Sequence, residues 1–347
     1  MLKIKHTICP TCSVGCGLNI ISKNKKIVGI NSYKDHSINE GRNCNNCTDN
    51  INLFINNKIK QSTDYTSLID NVTKILKDNK DVTILTSGKT DNVDLDRLME
   101  FTKKHDYTLL AYENNFNKTD ANIIASYDDI SNANYIITIG DIYRENALIG
   151  RRIIHAKKNN CYTININKTK NLTGHNSDKF IKINSYDEIP SILEHEKIDE
   201  NAILIINKID STDNYNKIIE YVENNKLKIL PLPKYPNSYS VLHHVKSTSI
   251  NEIISKINDS DVIIFTDINL TNFMKNDIFN NKIIISFDTL NTTNESSFQI
   301  PVKAWYEKNG SFTNSMGITQ RFNDTICDND NQLKTIAQVI DEIDGKL

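Results

Sequence analysis

The sequence predicts an α/β protein in which a small N-terminal β-hairpin module precedes two doubly wound, mostly parallel α/β domains. Five of the seven cysteines lie before residue 48, which marks a separate module at that end of the chain. From about residue 65, short apolar runs alternate with amphipathic helical patterns, as in parallel sheets covered on both faces. The length of 347 residues suffices for two or three domains of roughly 100–200 residues each.

The N-terminal module is predicted to span residues 1–58. Within it, "GLNIISKNKKIVGINSY" favours two short strands, Leu18–Ser22 and Lys26–Ile30, around a polar turn. A hairpin of this size is too small to hold a core alone. We therefore expect a bound metal centre to supply the missing stabilisation.

The remainder is predicted to form two α/β domains, 59–197 and 198–347, joined near "HEKIDEN". In "YTSLIDNVTKILKD", Leu68, Val72 and Ile75 recur at helical spacing, whereas "DVTILTSG" is a short apolar run typical of a buried strand. The predicted strands are 81–88, 134–141, 161–166, 178–184, 201–207, 226–233, 261–267 and 282–288, and the predicted helices are 65–78, 94–105, 146–160, 187–195, 213–225, 249–259 and 332–343.

Composition excludes several classes of partner. The formal net charge of −2 gives no global basic field, so we expect no nucleic-acid partner. No apolar run reaches the length of a membrane span. The start, "MLKIKHTICP", has no apolar segment typical of a signal peptide, which predicts a cytoplasmic protein. Clustered cysteines in that compartment indicate metal ligands or redox groups rather than disulfides.

The cysteine spacing C-x2-C-x3-C-x27-C indicates an iron–sulfur centre. Cys9, Cys12, Cys16 and Cys44 offer four thiolates, which is what a [4Fe–4S] cluster requires. Gly15, beside the third cysteine, fits a backbone wrapped closely around an inorganic core.

A structural zinc site is the alternative. Cys9, Cys12, Cys44 and Cys47 form a C-x2-C…C-x2-C pattern, the spacing of a zinc ribbon. This interpretation leaves Cys16 without a role, whereas the iron–sulfur interpretation leaves Cys47 as the spare cysteine and alternative ligand.

One strand-to-helix turn, "TIGDIYREN", is a candidate for cofactor contacts. Ligands bind at the carboxyl ends of parallel strands, so Asp141 and Asn146 are predicted contacts. The alternative is an ordinary turn with Asn146 near a helix start. The following "GRRIIHAKK" is predicted to be a helix with a solvated basic face and with Ile153, Ile154 and Ala156 turned inward.

Three segments resemble molybdopterin oxidoreductases, and in particular the formate dehydrogenase alpha subunit. The first runs from "ICPTCSVGCGLN" to "INEGRNC", the second is "SNANYIITIGDIYRENALIGRRIIHAKKNNCYTINI", and the third is "SSFQIPVKAWYEKNGSFTNSMGITQRF". The third carries the family's proline, acidic residue and "G-T-F-T-N" run as Pro301, Glu307 and 310–314. The resemblance extends to formylmethanofuran dehydrogenase and to the large iron–sulfur subunit of NADH:quinone oxidoreductase. It implies a [4Fe–4S] cluster held by the four spaced cysteines and a pterin cleft near the strand-to-helix turn.

The chain also departs from this family. Asn46 and Cys47 occupy the positions of the family's lysine and glycine, and "YTLLAYENNFNKTDANIIASYDD" lacks the cysteine or selenocysteine that ligates molybdenum or tungsten. The family's C-terminal pterin-binding domain is not recognised, and we expect it on another polypeptide if it is retained.

Three functions follow from these patterns. The first is a [4Fe–4S] electron-transfer subunit beside other iron–sulfur or flavin subunits, with its own molybdenum or tungsten centre lost. The second is a catalytic formate or formylmethanofuran dehydrogenase-type subunit that binds a molybdenum or tungsten pterin with a partner chain. The third is a non-enzymatic zinc-ribbon protein that serves structure or interaction.

Overall fold

The computed structural model describes residues 1–59, 64–196, 198–266, 268, 276–290, 296–326 and 333–347. Cys327 lies outside these residues. No helix in the described ranges is long and apolar enough to cross a membrane.

The N-terminal module is an antiparallel sheet with the strand order β1-β2-β3. The predicted hairpin forms, and β1 adds a strand that the sequence did not predict. Apolar and polar residues alternate at the start of β1, but Leu2 and Ile4 are exposed, so this alternation does not mark a buried face. The strands are β1 (Leu2–Ile8), β2 (Gly17–Lys23) and β3 (Lys26–Ser32).

Two five-stranded sheets follow, and every strand pair in them is parallel, which confirms the predicted α/β fold class. The first sheet has the order β10-β9-β6-β7-β8, from β6 (Tyr135–Ile139), β7 (Tyr162–Asn167), β8 (Lys179–Lys182), β9 (Ile203–Ile206) and β10 (Lys228–Pro231). The second has the order β13-β12-β11-β4-β5, from β4 (Val82–Thr86), β5 (Thr108–Ala111), β11 (Val262–Thr266), β12 (Ile283–Asp288) and β13 (Phe298–Pro301).

The sheets do not divide the chain at residue 197, where the sequence predicted the domain boundary. β4 and β5 of the second sheet come first in the chain. All five strands of the first sheet follow, and β11, β12 and β13 then complete the second sheet. Val262 of β11 then lies in register with Val82 of β4. This pairing joins apolar segments about 180 residues apart, and nothing in the local sequence of either segment indicates it.

Helices cover both faces of each sheet, because their apolar stripes pack on the buried strands. The polar, asparagine-rich α1 was not predicted; it buries only Cys47 and Ile51, one turn apart. The helices are α1 (Asn45–Asn57), α2 (Tyr65–Asp78), α3 (Asn92–His105), α4 (Tyr127–Ser131), α5 (Ile142–Glu145), α6 (Ala147–Lys158), α7 (Leu172–His175), α8 (Ile189–His195), α9 (Thr212–Asn224), α10 (Ser238–His244), α11 (Ile250–Asp259) and α12 (Ile336–Asp344).

An antiparallel hairpin, β14 (Gly310–Thr313) and β15 (Thr319–Phe322), lies beside β1. It follows the segment that carries Pro301 and Glu307. The hairpin therefore brings a segment near the end of the sequence against the N-terminal module.

The placement of β11 between β4 and β12 can be tested by a cavity mutation. Ile264 is 1% exposed and lies in register with Ile84 on one side and Ile285 on the other. We expect Ile264→Ala to lower the free energy of unfolding by about 2–5 kcal/mol, because the core around the second sheet cannot fully close the cavity left by the removed atoms. Ile154→Ala, at a side chain that is 45% exposed, is the control and should change it by less than about 1 kcal/mol. Equal losses in chemical denaturation of the two variants would contradict the placement.

Candidate metal centre

Five cysteines from two separate segments line one cavity: Cys9, Cys12, Cys16, Cys44 and Cys47. The first three lie in the loop between β1 and β2, which we call the cysteine loop (residues 9–16). Cys44 precedes α1, and Cys47 lies in its first turn. All five thiols are free, and three of them are buried. The structure thus brings together every cysteine that either metal interpretation requires.

The cysteine loop is closed on itself by a backbone hydrogen bond. The Cys9 amide donates to the carbonyl oxygen of Cys16 at 2.8 Å. Gly15 has a φ of +79°, and a β-carbon there would lie 2.9 Å from Cβ of Asn314. Glycine is required at this point both by backbone conformation and by the close approach of the hairpin.

The β14–β15 hairpin holds the outer side of the loop. The side-chain amide of Gln320 donates to the carbonyl oxygen of Gly15 at 2.9 Å. The backbone amide of Ser315 donates to the carbonyl oxygen of Ser13 at 2.8 Å. Because these bonds satisfy backbone acceptors, they fix the loop's path without using the cysteines.

The inner side of the loop is bonded to the α/β region. Ser13 Oγ donates to the carbonyl oxygen of Pro233 at 2.7 Å, beyond the end of β10. The Tyr127 hydroxyl, at the start of α4, donates to the carbonyl oxygen of Val14 at 2.9 Å. The loop is thereby seated on the carboxyl end of the first sheet.

Asn39 fixes the second segment against the first. Its side-chain oxygen accepts from the Gly17 amide at 2.7 Å. Its nitrogen donates to the carbonyl oxygens of Gly17 at 3.0 Å and of Arg42 at 2.8 Å. One fully buried side chain therefore connects the residue after Cys16 to the turn that leads into Cys44.

Burial makes the charged form of these thiols unfavourable. It raises the pKa of Cys12 to about 12, assisted by the charge of Cys9, and it raises the pKa of Cys16 and Cys44 in the same direction. Metal ligation requires thiolates, so positive charge from the bound metal has to offset both burial and mutual repulsion. A cavity lined by buried sulfurs fits a metal–sulfur centre in that chemical sense.

Cys47 and Cys9 are direct neighbours. A hydrogen bond from the Cys47 thiol lowers the pKa of Cys9 and, with burial, raises that of Cys47 itself. Among the described residues, no three His, Cys, Asp or Glu side chains are grouped as ligands of one metal ion. The four sulfurs of a cubane bind four different irons and need not meet at one point.

Asp141 and Asn146, the predicted pterin contacts, have different surroundings. The Asp141 carboxylate accepts from the amide and hydroxyl of Thr173, at 3.1 and 2.8 Å, and so ties the turn after β6 to α7. Asn146 lines the cysteine cavity, where its side chain bonds Cys12, and its oxygen accepts from Asn207 at 2.9 Å. Their contact with a pterin stays a prediction.

The basic helix pattern "GRRIIHAKK" was interpreted wrongly in two respects. Ile153 and Ala156 are buried as expected, but Ile154 is 45% exposed. Arg152, assigned to a solvated face, is only 12% exposed and lies against the ring of Tyr127. Helical periodicity placed the apolar side correctly, yet it could not show that the N-terminal module covers this part of α6.

A second, larger cleft borders the cysteine loop at the carboxyl ends of β4, β11 and β12. Such crevices are where ligands bind in open α/β sheets. We call this the lysine cleft, after Lys89, Lys234, Lys303 and Lys308 on its walls. Its lining also includes Pro10, Thr11, Asn50, Leu53, Phe54, Asp91, Tyr235, Ile268, Thr289, Leu290, Trp305 and Phe312, with no cysteine among the described residues.

Among the described residues that line the lysine cleft, Trp305 has a buried Nε1 without a hydrogen-bond partner, on a side chain packed edge-on against Phe54. Lys308 contacts both Asp91 and Asp94; burial opposes its charge, but the two carboxylates keep its pKa above the usual value. The cleft therefore offers donors and cations, while Asp91, the carboxylate among its described lining residues, is already paired.

Comparison with known proteins agrees with the cysteine pattern. Residues 2–50 match the family described as the Molybdopterin oxidoreductase Fe4S4 domain, which confirms the resemblance and supports a [4Fe–4S] cluster. Over 212 residues, 52% of this chain, it is 30% identical to the F420-dependent formate dehydrogenase subunit alpha of Methanocaldococcus jannaschii. It is 25% identical over 211 residues, 51% of this chain, to the F420-dependent formate dehydrogenase 1 subunit alpha of Methanococcus maripaludis. The matched regions cover 31% and 30% of those two relatives.

Two solved structures share the fold at 10% sequence identity. Acetylene hydratase from Pelobacter acetylenicus superposes with a TM-score of 0.64, covering 99% of this chain and 69% of that one. A chain of the formyltransferase/hydrolase complex from Methylorubrum extorquens, solved with methylofuran, superposes with a TM-score of 0.57, covering 83% of this chain and 97% of that one.

The role of Asn39 can be tested by removing its side chain. Asn39→Ala removes the hydrogen bonds to the Gly17 amide and to the carbonyl oxygens of Gly17 and Arg42. A buried polar group that loses its partner costs about 1–3 kcal/mol. We expect a lower free energy of unfolding and a lower content of bound metal after anaerobic purification. Asn31→Ala, at an exposed position of β3, is the matched control and should leave both unchanged. Unchanged stability and metal content in Asn39→Ala would contradict the assignment.

Proposed function

We propose that this chain is the [4Fe–4S] electron-transfer subunit of a formate dehydrogenase-like redox complex. Cys9, Cys12, Cys16 and Cys44 are the cluster ligands. The observation that carries the proposal is that these four cysteines line one cavity, within a segment that matches an Fe4S4 domain family.

The chain's own residues prepare this site. Asn39, Gln320 and Tyr127 fix the backbone on either side of the cysteines, so the sulfurs are held before a cluster is assembled. Burial of the loop limits water access, which influences the potential of an iron–sulfur centre. A bound cluster supplies one-electron transfer, and Cys12 and Cys44, the less buried ligands, mark the side nearest to solvent. Other iron–sulfur or flavin subunits are the proposed partners.

The ligand assignment is tested by exchanging Cys16 and Cys47 separately for serine. We expect Cys16→Ser to lose most bound iron and the broad visible absorption of a cluster, because one iron loses its thiolate. Cys47→Ser should keep both, because Cys47 is not one of the four proposed ligands. Bound zinc that is lost in Cys47→Ser and kept in Cys16→Ser would instead support the zinc-ribbon function.

A catalytic subunit is the second candidate, and the lysine cleft is the observation that favours it. Its lysines and its unpartnered Trp305 Nε1 suit the anionic and polar groups of a pterin dinucleotide. The described lining has no thiol to complete the coordination of molybdenum or tungsten, and Asp91 is paired with Lys308. The cleft thus fits the organic part of such a cofactor better than its metal, and we propose that the catalytic centre is lost.

Metal analysis of the complex purified with its partner chains separates the two candidates. If this chain only transfers electrons, we expect any molybdenum or tungsten in the complex, and any formate-dependent reduction of a viologen dye, to be unchanged in Lys303→Gln. Stoichiometric molybdenum or tungsten that is lost together with dye reduction in Lys303→Gln would establish the catalytic function. Lys256→Gln, on α11 away from the cleft lining, is the control for nonspecific loss.

A further inference from the structure

We propose that Arg152 is a positioning residue whose fixed positive charge raises the reduction potential of the cluster. The inference rests on the proposed function, because it requires a cluster in the cysteine cavity. It concerns a residue outside the ligand set and outside the lysine cleft.

The guanidinium of Arg152 is held in a largely closed space between α6, α4 and the N-terminal module. Its side chain is 12% exposed, and its guanidinium carbon lies 5.6 Å from the centre of the Tyr127 ring. It donates to the carbonyl oxygens of Ile38 at 3.2 Å and of Tyr127 at 3.3 Å, and to Ser131 Oγ at 3.1 Å. Such a network keeps the charge in one place.

Two of the residues that Arg152 contacts, Tyr127 and Ile38, connect it to the backbone beside the proposed cluster ligands. The Tyr127 ring under Arg152 donates through its hydroxyl to Val14, between Cys12 and Cys16. Ile38 precedes Asn39, which is bonded to Gly17, the residue after Cys16.

The nearest opposite charges lie on the solvent side of Arg152. Asp128 is 3.2 Å from the guanidinium but 88% exposed, and Glu40 is 3.7 Å away and 51% exposed. Arg151 contacts the same Glu40 at 3.0 Å and is itself 38% exposed. Exposed charges are screened by water and salt, whereas buried ones are screened much less. Of these four charges, that of Arg152 is the least exposed and therefore the least screened.

Reduction adds one negative charge to the cluster, so a nearby fixed cation stabilises the reduced form more than the oxidised form. We expect one such charge to change the ratio of reduced to oxidised cluster by on the order of tenfold at a given potential. An energy of about 1.4 kcal/mol corresponds to a tenfold change in the ratio of reduced to oxidised cluster at a given potential.

The test is a redox titration of the anaerobically purified protein, followed by the EPR signal of the reduced cluster. In Arg152→Gln we expect a more negative midpoint potential, by roughly the equivalent of that tenfold change, which is about 59 mV for a one-electron couple. Arg152→Lys should retain most of the wild-type potential because it keeps the charge. Arg151→Gln is the matched control and should remain close to wild type, because its charge is exposed and paired with Glu40.

An intact cluster with an unchanged potential in Arg152→Gln would overturn the inference. An equal fall in Arg152→Lys would also overturn it, since geometry and not charge would then be responsible. If Arg152→Gln does not retain a cluster, Arg152→Met decides, because it keeps an aliphatic side chain without the charge: a more negative potential supports the inference, and an unchanged one rejects it. Wild-type protein without iron would reject the proposed function itself and this inference with it.

Discussion

The gathering of five cysteines, three of them buried, around one cavity is the constraint on which this structure depends. Buried sulfurs cannot become thiolates without compensating positive charge, and here burial and mutual repulsion both oppose ionisation. A metal–sulfur centre removes that conflict, because its irons supply the charge and its assembly stabilises a module too small for a core of its own. The N-terminal sheet and the cysteine loop are therefore best understood as one unit with the centre they enclose.

The unit is not independent of the rest of the chain. Pro233 lies beyond β10, Tyr127 begins α4, and Gln320 lies in β15, yet each is bonded to the eight-residue cysteine loop. The loop closes one crevice of the first sheet, and the lysine cleft occupies the corresponding crevice of the second. Both crevices lie where the strand order of a doubly wound sheet reverses, between β6 and β9 and between β4 and β11. The fold thus places a candidate electron-transfer site beside a candidate cofactor site.

Much of this arrangement could be predicted from local patterns. Short stretches of sequence suffice to predict the cysteine spacing, the hairpin after Cys16 and the strands of the α/β region. The order of strands in the sheets could not be predicted, because β4 pairs with β11 across a complete intervening sheet and parallel pairing leaves no local signature. The burial of Arg152 could not be predicted for the same reason. Periodicity shows which side of α6 is apolar, but it does not show that Tyr127 and Ile38 cover one of the basic residues of this helix. Asn39 belonged to a recognisable "N-E-G" run, and its bonds to both cysteine segments give that run a physical role.

The most direct measurement is the iron, acid-labile sulfide and zinc content of the wild-type chain purified without oxygen. The account predicts four irons and four sulfides per chain, the stoichiometry of a [4Fe–4S] cluster, with no stoichiometric zinc. One zinc per chain without iron or sulfide would contradict it and leave the cysteine cavity as a structural zinc site.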